Sequence, residues 1–373
     1  MVVLFCLALW LLAGCATTPP QNGGETPVLT GPTNSTPVAV RPVTPGPRGT
    51  NTAPVISHTN APPPVTHPAP VIIRPAPLLA WTSLARWAAA NHLPGPRKTA
   101  DSPLTTFTLN SPRGTLTLFL GSREAGWNGV FFHLGYPPEI VDGELVLYGV
   151  DILKNLEPLL LDPPLALPVR PLVVIDPGHG GINGGTVSVL DQHPEKEFTL
   201  DCARRLKPLL EAQGWRVLLT HTNDIDLSLS NRVRFAEDHR ADLFISLHFN
   251  SAAPDRRQSG LETYCLTPAG LPSTLVRDKT DPLGEVFPNN TFDAANLQLA
   301  LCVHHQLAAR MGEEDRGVRR ARFMGVLHGQ GRPAILIEGG FLSNPAEARR
   351  IESPAFRQQY AETIAAALRG LLP

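Results

Sequence analysis

From Pro171 onward, short apolar runs alternate with segments whose apolar residues recur at helical spacing. That alternation restricts this part of the chain to an open α/β sheet. Residues 172–176 form an apolar run closed by Pro-Gly, the pattern of a parallel strand buried on both faces. Residues 196–210 place Phe198, Cys202, Leu206 and Leu209 on one helical face, and Gly214 closes that helix. Further strands are predicted at 215–220, 242–247, 261–266 and 334–338. Helices are predicted at 229–239 and 292–311, and a closing one carries Phe356, Tyr360, Ile364 and Leu368. The expected product over 171–373 is a mostly parallel open sheet flanked by helices.

The preceding residues read differently. In 79–165, Trp81, Leu84 and Ala88 give a helix stopped by Pro94-Gly95-Pro96. Two β-like stretches, 115–120 and 130–134, are separated by a turn containing Asn128-Gly129. A hairpin follows around Asp142-Gly143, then a helix near 151–160. This predicts a small α+β accessory domain. Residues 16–78 hold 16 prolines, four charged residues and no Phe, Trp or Tyr. Such a stretch cannot bury enough apolar surface to offset chain entropy, so 15–78 is expected to be a disordered Pro/Thr-rich linker. Residues 1–14 are uncharged and mostly apolar, but shorter than the roughly 20 residues a bilayer-spanning helix needs. They read as a signal segment.

Charge and cysteine content exclude three classes. With 32 basic and 33 acidic side chains the net charge is -1, so no nucleic-acid footprint is expected. Beyond Cys6 and Cys15, the cysteines are Cys202, Cys265 and Cys302, an odd number without CxxC spacing. Neither a disulfide scaffold nor a Cys-rich zinc site fits that pattern.

In open α/β sheets, functional residues gather beyond the carboxyl ends of strands. Three predicted strands end in residues suited to metal-assisted chemistry. His179 follows the first in Pro177-Gly178-His179-Gly180-Gly181, His248 follows another in His248-Phe249-Asn250, and Glu338 precedes Gly339-Gly340. Two imidazoles and a carboxylate supply a zinc site with a position open for water, while a further carboxylate serves as base. The remaining carboxylate must come from Glu195 or Glu197.

Those motifs, in order, make residues 171–373 resemble the zinc-dependent N-acetylmuramoyl-L-alanine amidases of the amidase-3 family. The matching stretches are VVIDPGHGG, EKEFTLDCARRLKPLLEAQGW, DLFISLHFN, GLETY, DRGVRRARFMGVL and PAILIEGGFLSN. The resemblance implies one zinc per chain held by His179, Glu195 and His248, with Glu338 as catalytic glutamate and peptidoglycan as substrate. Its register selects Glu195 over Glu197. It implies cleavage between N-acetylmuramic acid and the L-alanine of the stem peptide, whereas residue chemistry alone supports metal-assisted amide hydrolysis. A zinc peptidase acting within the stem peptide and a non-catalytic wall-binding lipoprotein are the alternatives. Asp176, expected to orient the loop or a ligand imidazole, and Asn250 and His221 are candidates for substrate or supporting contacts. His221 stands where the family usually has Arg, and Glu237 where it usually has Asn.

The stretch Leu12-Ala13-Gly14-Cys15 resembles a bacterial lipobox, with Cys15 as the acylated residue. Ala16 follows, without the Asp that retains lipoproteins at the inner membrane. This implies a periplasmic enzyme of the cell envelope, anchored by lipid to the outer membrane. Three further expectations concern the catalytic half. His304 and His305 are placed at the surface of a helix, the Arg316 to Arg322 run in a solvated loop, and 267–290 in a flexible lid.

Overall fold

The computed structural model describes residues 80–276 and 280–373. The expected signal segment, Cys15 and the linker lie outside the described residues. The first described portion comprises β1 (Trp81–Ser83), α1 (Leu84–Ala90), β2 (Arg97–Ala100), β3 (Thr106–Ser111), β4 (Gly114–Phe119), β5 (Glu124–Trp127), β6 (Val130–His133), β7 (Glu139–Val141) and β8 (Glu144–Tyr148). The Ser83 side chain caps α1 by accepting from the Arg86 N–H. Asn128 and Gly129, at φ 51 and 85, form the two-residue turn that sets Trp127 opposite Val130. A continuous helical run follows: α2 (Gly149–Asp151), a π-helical turn (Ile152–Leu156) and α3 (Glu157–Leu160). This is the expected mixture of hairpins and helices.

The remainder alternates. It contains β9 (Leu172–Pro177), α4 (Glu195–Ala212), β10 (Arg216–Leu219), α5 (Leu229–Asp238), β11 (Leu243–Asn250), β12 (Leu261–Cys265), α6 (Asp293–Met311), β13 (Asp315–Arg320), α7 (Gly325–His328), β14 (Ala334–Phe341), α8 (Pro345–Ile351) and α9 (Pro354–Arg369). One eleven-stranded sheet has the order β10-β9-β11-β14-β12-β13-β6-β5-β4-β3-β2, and β1-β8-β7 form a second sheet. β10, β9, β11 and β14 are parallel neighbours, whereas β12 runs antiparallel to β14. β13 pairs in parallel with β6, with Val318 opposite Phe132, so the hairpins of 97–133 extend the catalytic sheet.

Alternate side chains of the central strands enter two apolar layers, as a sheet covered on both faces requires. Val173, Ile175, Ile245, Leu247, Ile335 and Ile337 join the layer that contains residues of α4, α6 and α9. Leu172, Val174, Phe244 and Leu336 join the layer that contains residues of α5 and α7. The first layer continues into Leu116, Phe132, Leu147 and Leu156 of the N-terminal portion.

Three expectations are corrected. The arginine run is not a solvated loop. It forms β13 and the turn after it, and Arg320 and Arg322 are buried because Asn155, Asp281 and backbone carbonyls accept their hydrogen bonds. His304 is fully buried, bridging Thr263 and Asp315, and only His305 of that pair is exposed. Described residues of 267–290 hydrogen-bond to the end of β13 and the turn after it: the Thr274 N–H donates to the Arg320 oxygen, and Arg322 donates to the oxygens of Pro268 and Leu271.

Candidate active site

β9 delivers Asp176 and then a loop in which His179 adopts φ 66, a left-handed conformation that non-glycine residues rarely take. The loop is clamped. Asp176 is buried and accepts from Thr220 Oγ1 at 2.6 Å, Ser246 Oγ at 2.8 Å and Arg232 at 2.7 Å. Arg232 in turn donates to the backbone oxygens of Pro177 and His179. Asp176 therefore acts on the loop through a guanidinium and touches neither imidazole. Neither the arginine nor Asn183, whose Oδ1 lies 2.9 Å from His179 Nδ1, was foreseen. That contact suits an Nδ1–H that donates to Asn183 and turns Nε2 toward Glu195.

Glu195 opens α4 and is only 3% exposed. One carboxylate oxygen lies 3.1 Å from His179 Nε2, and the other lies 2.9 Å from His248 Nδ1. Backbone N–H groups of Thr186 and Phe249 also donate to it. Burial pushes the carboxyl upward, but the hydrogen bonds from His179 and His248 outweigh it and hold Glu195 well below the usual carboxylate range. Burial likewise opposes the charged form of His179, yet Glu195 raises that imidazole above its ordinary value. Glu197, two residues on, is exposed, as is His193.

His248 stands near the end of β11, beside Glu338 in the parallel register of β14. Its ring centroid is 4.8 Å from that of His179, close to perpendicular. Gly178 makes this approach feasible, since a Cβ there would lie 2.3 Å from His248 Cε1. Donor atoms of His179, Glu195 and His248 all fall within 4.8 Å of one another, and no second such group occurs among the described residues. Two nitrogens and one oxygen are the donor set of a hydrolytic zinc, so the three side chains fit that metal.

A cavity of about 470 Å³ joins these residues to Asp176, Asn183, Asn250 and Glu338, with Leu229 and Met324 on its wall. His221 is buried and is not among the lining residues; its Nδ1 lies 3.2 Å from Thr220 Oγ1. Burial, then Arg232, lowers its pKa. No described residue of 267–290 lines the cavity, so no lid is found there. A second cavity of about 620 Å³ lies near Trp127, Leu301 and Leu371 and holds none of the candidate ligands. Among the described residues, no helix is long and apolar enough to cross a membrane.

Comparison with known proteins places this geometry in context. A family model described as N-acetylmuramoyl-L-alanine amidase matches residues 173–370. AmiC of Neisseria meningitidis serogroup B, an N-acetylmuramoyl-L-alanine amidase, is 33% identical over 217 residues, covering 52% of this chain and 51% of that protein. LytC of Bacillus subtilis, named likewise, is 31% identical over 194 residues, covering 52% of this chain and 34% of that one. The chain thus spans about half the length, or less, of these curated relatives. Among solved structures, the catalytic domain of CwlV from Bacillus (Paenibacillus) polymyxa is 30% identical, with a TM-score of 0.44, covering 53% of this chain and 96% of that one.

Proposed function

Because the chain belongs to the N-acetylmuramoyl-L-alanine amidase family, its family model covering residues 173–370, we propose that it hydrolyses the amide joining N-acetylmuramic acid to L-alanine in peptidoglycan. The observation that carries this reading is the meeting of His179, Glu195 and His248 in one cavity with Glu338. We assign one zinc ion per chain to His179, Glu195 and His248. When bound there, zinc supplies Lewis acidity, lowering the pKa of water and polarising a carbonyl.

The chain's own residues do the rest. Asn183 holds the His179 ring, and Arg232 holds that residue's own carbonyl, so this ligand does not have to reorganise. Glu338 is half-buried on the strand next to His248. Its carboxylate takes a proton from the attacking water and returns it to the leaving amine of L-alanine.

Digestion of purified peptidoglycan followed by mass spectrometry tests the reading. Released stem peptides beginning with L-alanine are expected. Stems cut internally would replace this assignment with a peptidase, and no product would leave a wall-binding protein. We further propose that Cys15 is acylated and tethers the enzyme to the cell envelope through the proline-rich stretch, on the strength of the sequence Leu12-Ala13-Gly14-Cys15. Loss of the acyl mass in Cys15→Ser is the expected result, and an unchanged mass and membrane fraction would remove the anchor.

A further inference from the structure

Glu262 on β12 lies opposite Glu338 in the antiparallel register, yet it faces a different set of partners. Its Oε2 accepts from Asn250 Nδ2 at 2.8 Å and from the Tyr264 hydroxyl at 2.7 Å. Its Oε1 accepts from Arg316 Nε at 2.8 Å, and Arg319 Nε stands 2.9 Å away as an ion pair without hydrogen-bond alignment. Two arginines, a phenol and an amide therefore converge on one buried carboxylate. Burial opposes its charge, but Arg319 and Arg316 outweigh that and keep the carboxyl below its ordinary range.

An ionised carboxylate can only accept hydrogen bonds, which settles which way the Asn250 amide points. Its NH2 group must face Glu262, and Oδ1 is turned the other way. Asn250 lines the cavity, and its backbone oxygen is pinned by the Leu342 N–H at 2.8 Å. A register shift between His248 and Asn250 re-aims the end of β11 relative to β14. The amide thus has a fixed backbone and a fixed flip, its acceptor oxygen is turned away from Glu262, and it belongs to a residue that lines the same cavity as Glu338.

We propose that Glu262 is a positioning residue that locks the Asn250 amide so that Asn250 Oδ1 accepts a hydrogen bond from the N–H of the scissile amide. This rests on the amidase reading above and adds the group that recognises the leaving nitrogen. Holding that N–H orients the nitrogen lone pair that develops as the carbonyl is attacked, and it discriminates amides from esters of the same shape. The carboxylate, the two arginines and Tyr264 serve to make the other amide flip unavailable.

The test compares two soluble substrates, a muramoyl-L-alanyl peptide and its analogue with an ester oxygen in place of the scissile N–H. In Asn250→Ala, kcat/KM for the amide should fall about tenfold, the scale of one lost hydrogen bond, while that for the ester stays within about twofold. Glu262→Gln frees the flip, because a glutamine can donate to Oδ1, and should show the same selectivity loss. The side-chain NH2 signal of Asn250, assigned by its absence in Asn250→Ala, should also move in the 15N–1H spectrum of Glu262→Gln. Equal losses on both substrates, or an unmoved NH2 signal, overturn the proposal. If Glu262→Gln does not fold, the Asn250→Ala comparison decides alone. A wild-type enzyme that cleaves neither substrate overturns the amidase reading and this one together, whereas activity with equal losses overturns this one only.

Discussion

The parallel strands β9, β11 and β14 and the antiparallel strands β2 to β6 belong to one sheet, but they carry opposite burdens. The parallel group is buried on both faces and spends its strand ends on charge: Asp176 clamps Arg232, and Glu195, His179 and His248 crowd together. The antiparallel group is less deeply buried, running from the largely exposed β2 to β4 with its mixture of partly and fully buried residues, and among its described residues no metal-ligating cluster occurs. The difference teaches that double-sided burial does more than stabilise. It supplies the rigid, low-dielectric floor on which neighbouring charges can be held without solvent.

Breaking the chemistry itself should give the largest effect. Glu338→Gln keeps the shape of the side chain but removes its proton acceptor, so turnover should drop at least about 10²-fold while zinc content stays at one per chain. Metal analysis beside kinetics checks this, and loss of zinc would recast Glu338 as a ligand.

A matched pair of substitutions sharpens the contrast between the regions. Arg232→Met strands the buried Asp176 carboxylate and should cost about 3–5 kcal/mol of stability. It should also weaken zinc binding, because the His179 carbonyl loses its clamp. Phe132→Ala, at a fully buried position of β6, should cost a similar ~3–5 kcal/mol by leaving a cavity, yet leave zinc affinity unchanged. Equal zinc affinities in the two variants would erase the distinction.

A smaller effect depends on pH. In the metal-free protein, the raised pKa of His179 contributes stability fully present below the ordinary imidazole value and lost as pH rises through its own, higher value. The lowered pKa of Glu195 contributes stability present above the ordinary carboxylate value and lost only as pH falls through its depressed one. Zinc must displace the His179 proton, so apparent affinity should climb up to about tenfold per pH unit below that pKa and flatten above it. Affinity that stays level between about pH 6 and pH 8 would contradict the proton on His179. The smallest effect belongs to the second, three-stranded sheet. Glu144 pairs with an exposed Arg86, and Glu144→Gln should leave the melting temperature unchanged.

How much of this was legible in the sequence follows the same divide. β9, β11 and β14 were readable because strands buried on both faces are nearly continuous apolar runs, and their polar terminators drew attention to His179, His248 and Glu338. Glu195 needed the family register, since Glu197 offers the same chemistry two residues away. β13 was not readable, because Asp-Arg-Gly-Val-Arg-Arg carries no alternation and its charges are neutralised by residues distant in sequence, Glu262 among them. β5, with Glu-Ala-Gly-Trp, is too short and too small in side chain to announce a strand. Arg232 and Asn183 were invisible as parts of the site for another reason: each acts on His179 through a hydrogen bond, and nothing local marks a polar residue for that work.

Cutting the chain between 165 and 171 would turn β13 into an outer strand. Its pairing with β6 is close, since a Cβ on Gly317 would lie 2.7 Å from the Phe131 oxygen, and removing β6 would bare one side of its backbone. Exposed N–H and C=O groups in a row are a template for another chain. The arginines whose charge would otherwise repel a newcomer are already committed inward, to Glu262 and Asn155. An excised catalytic fragment should therefore self-associate through that edge, so the accessory strands earn their place as a guard against aggregation.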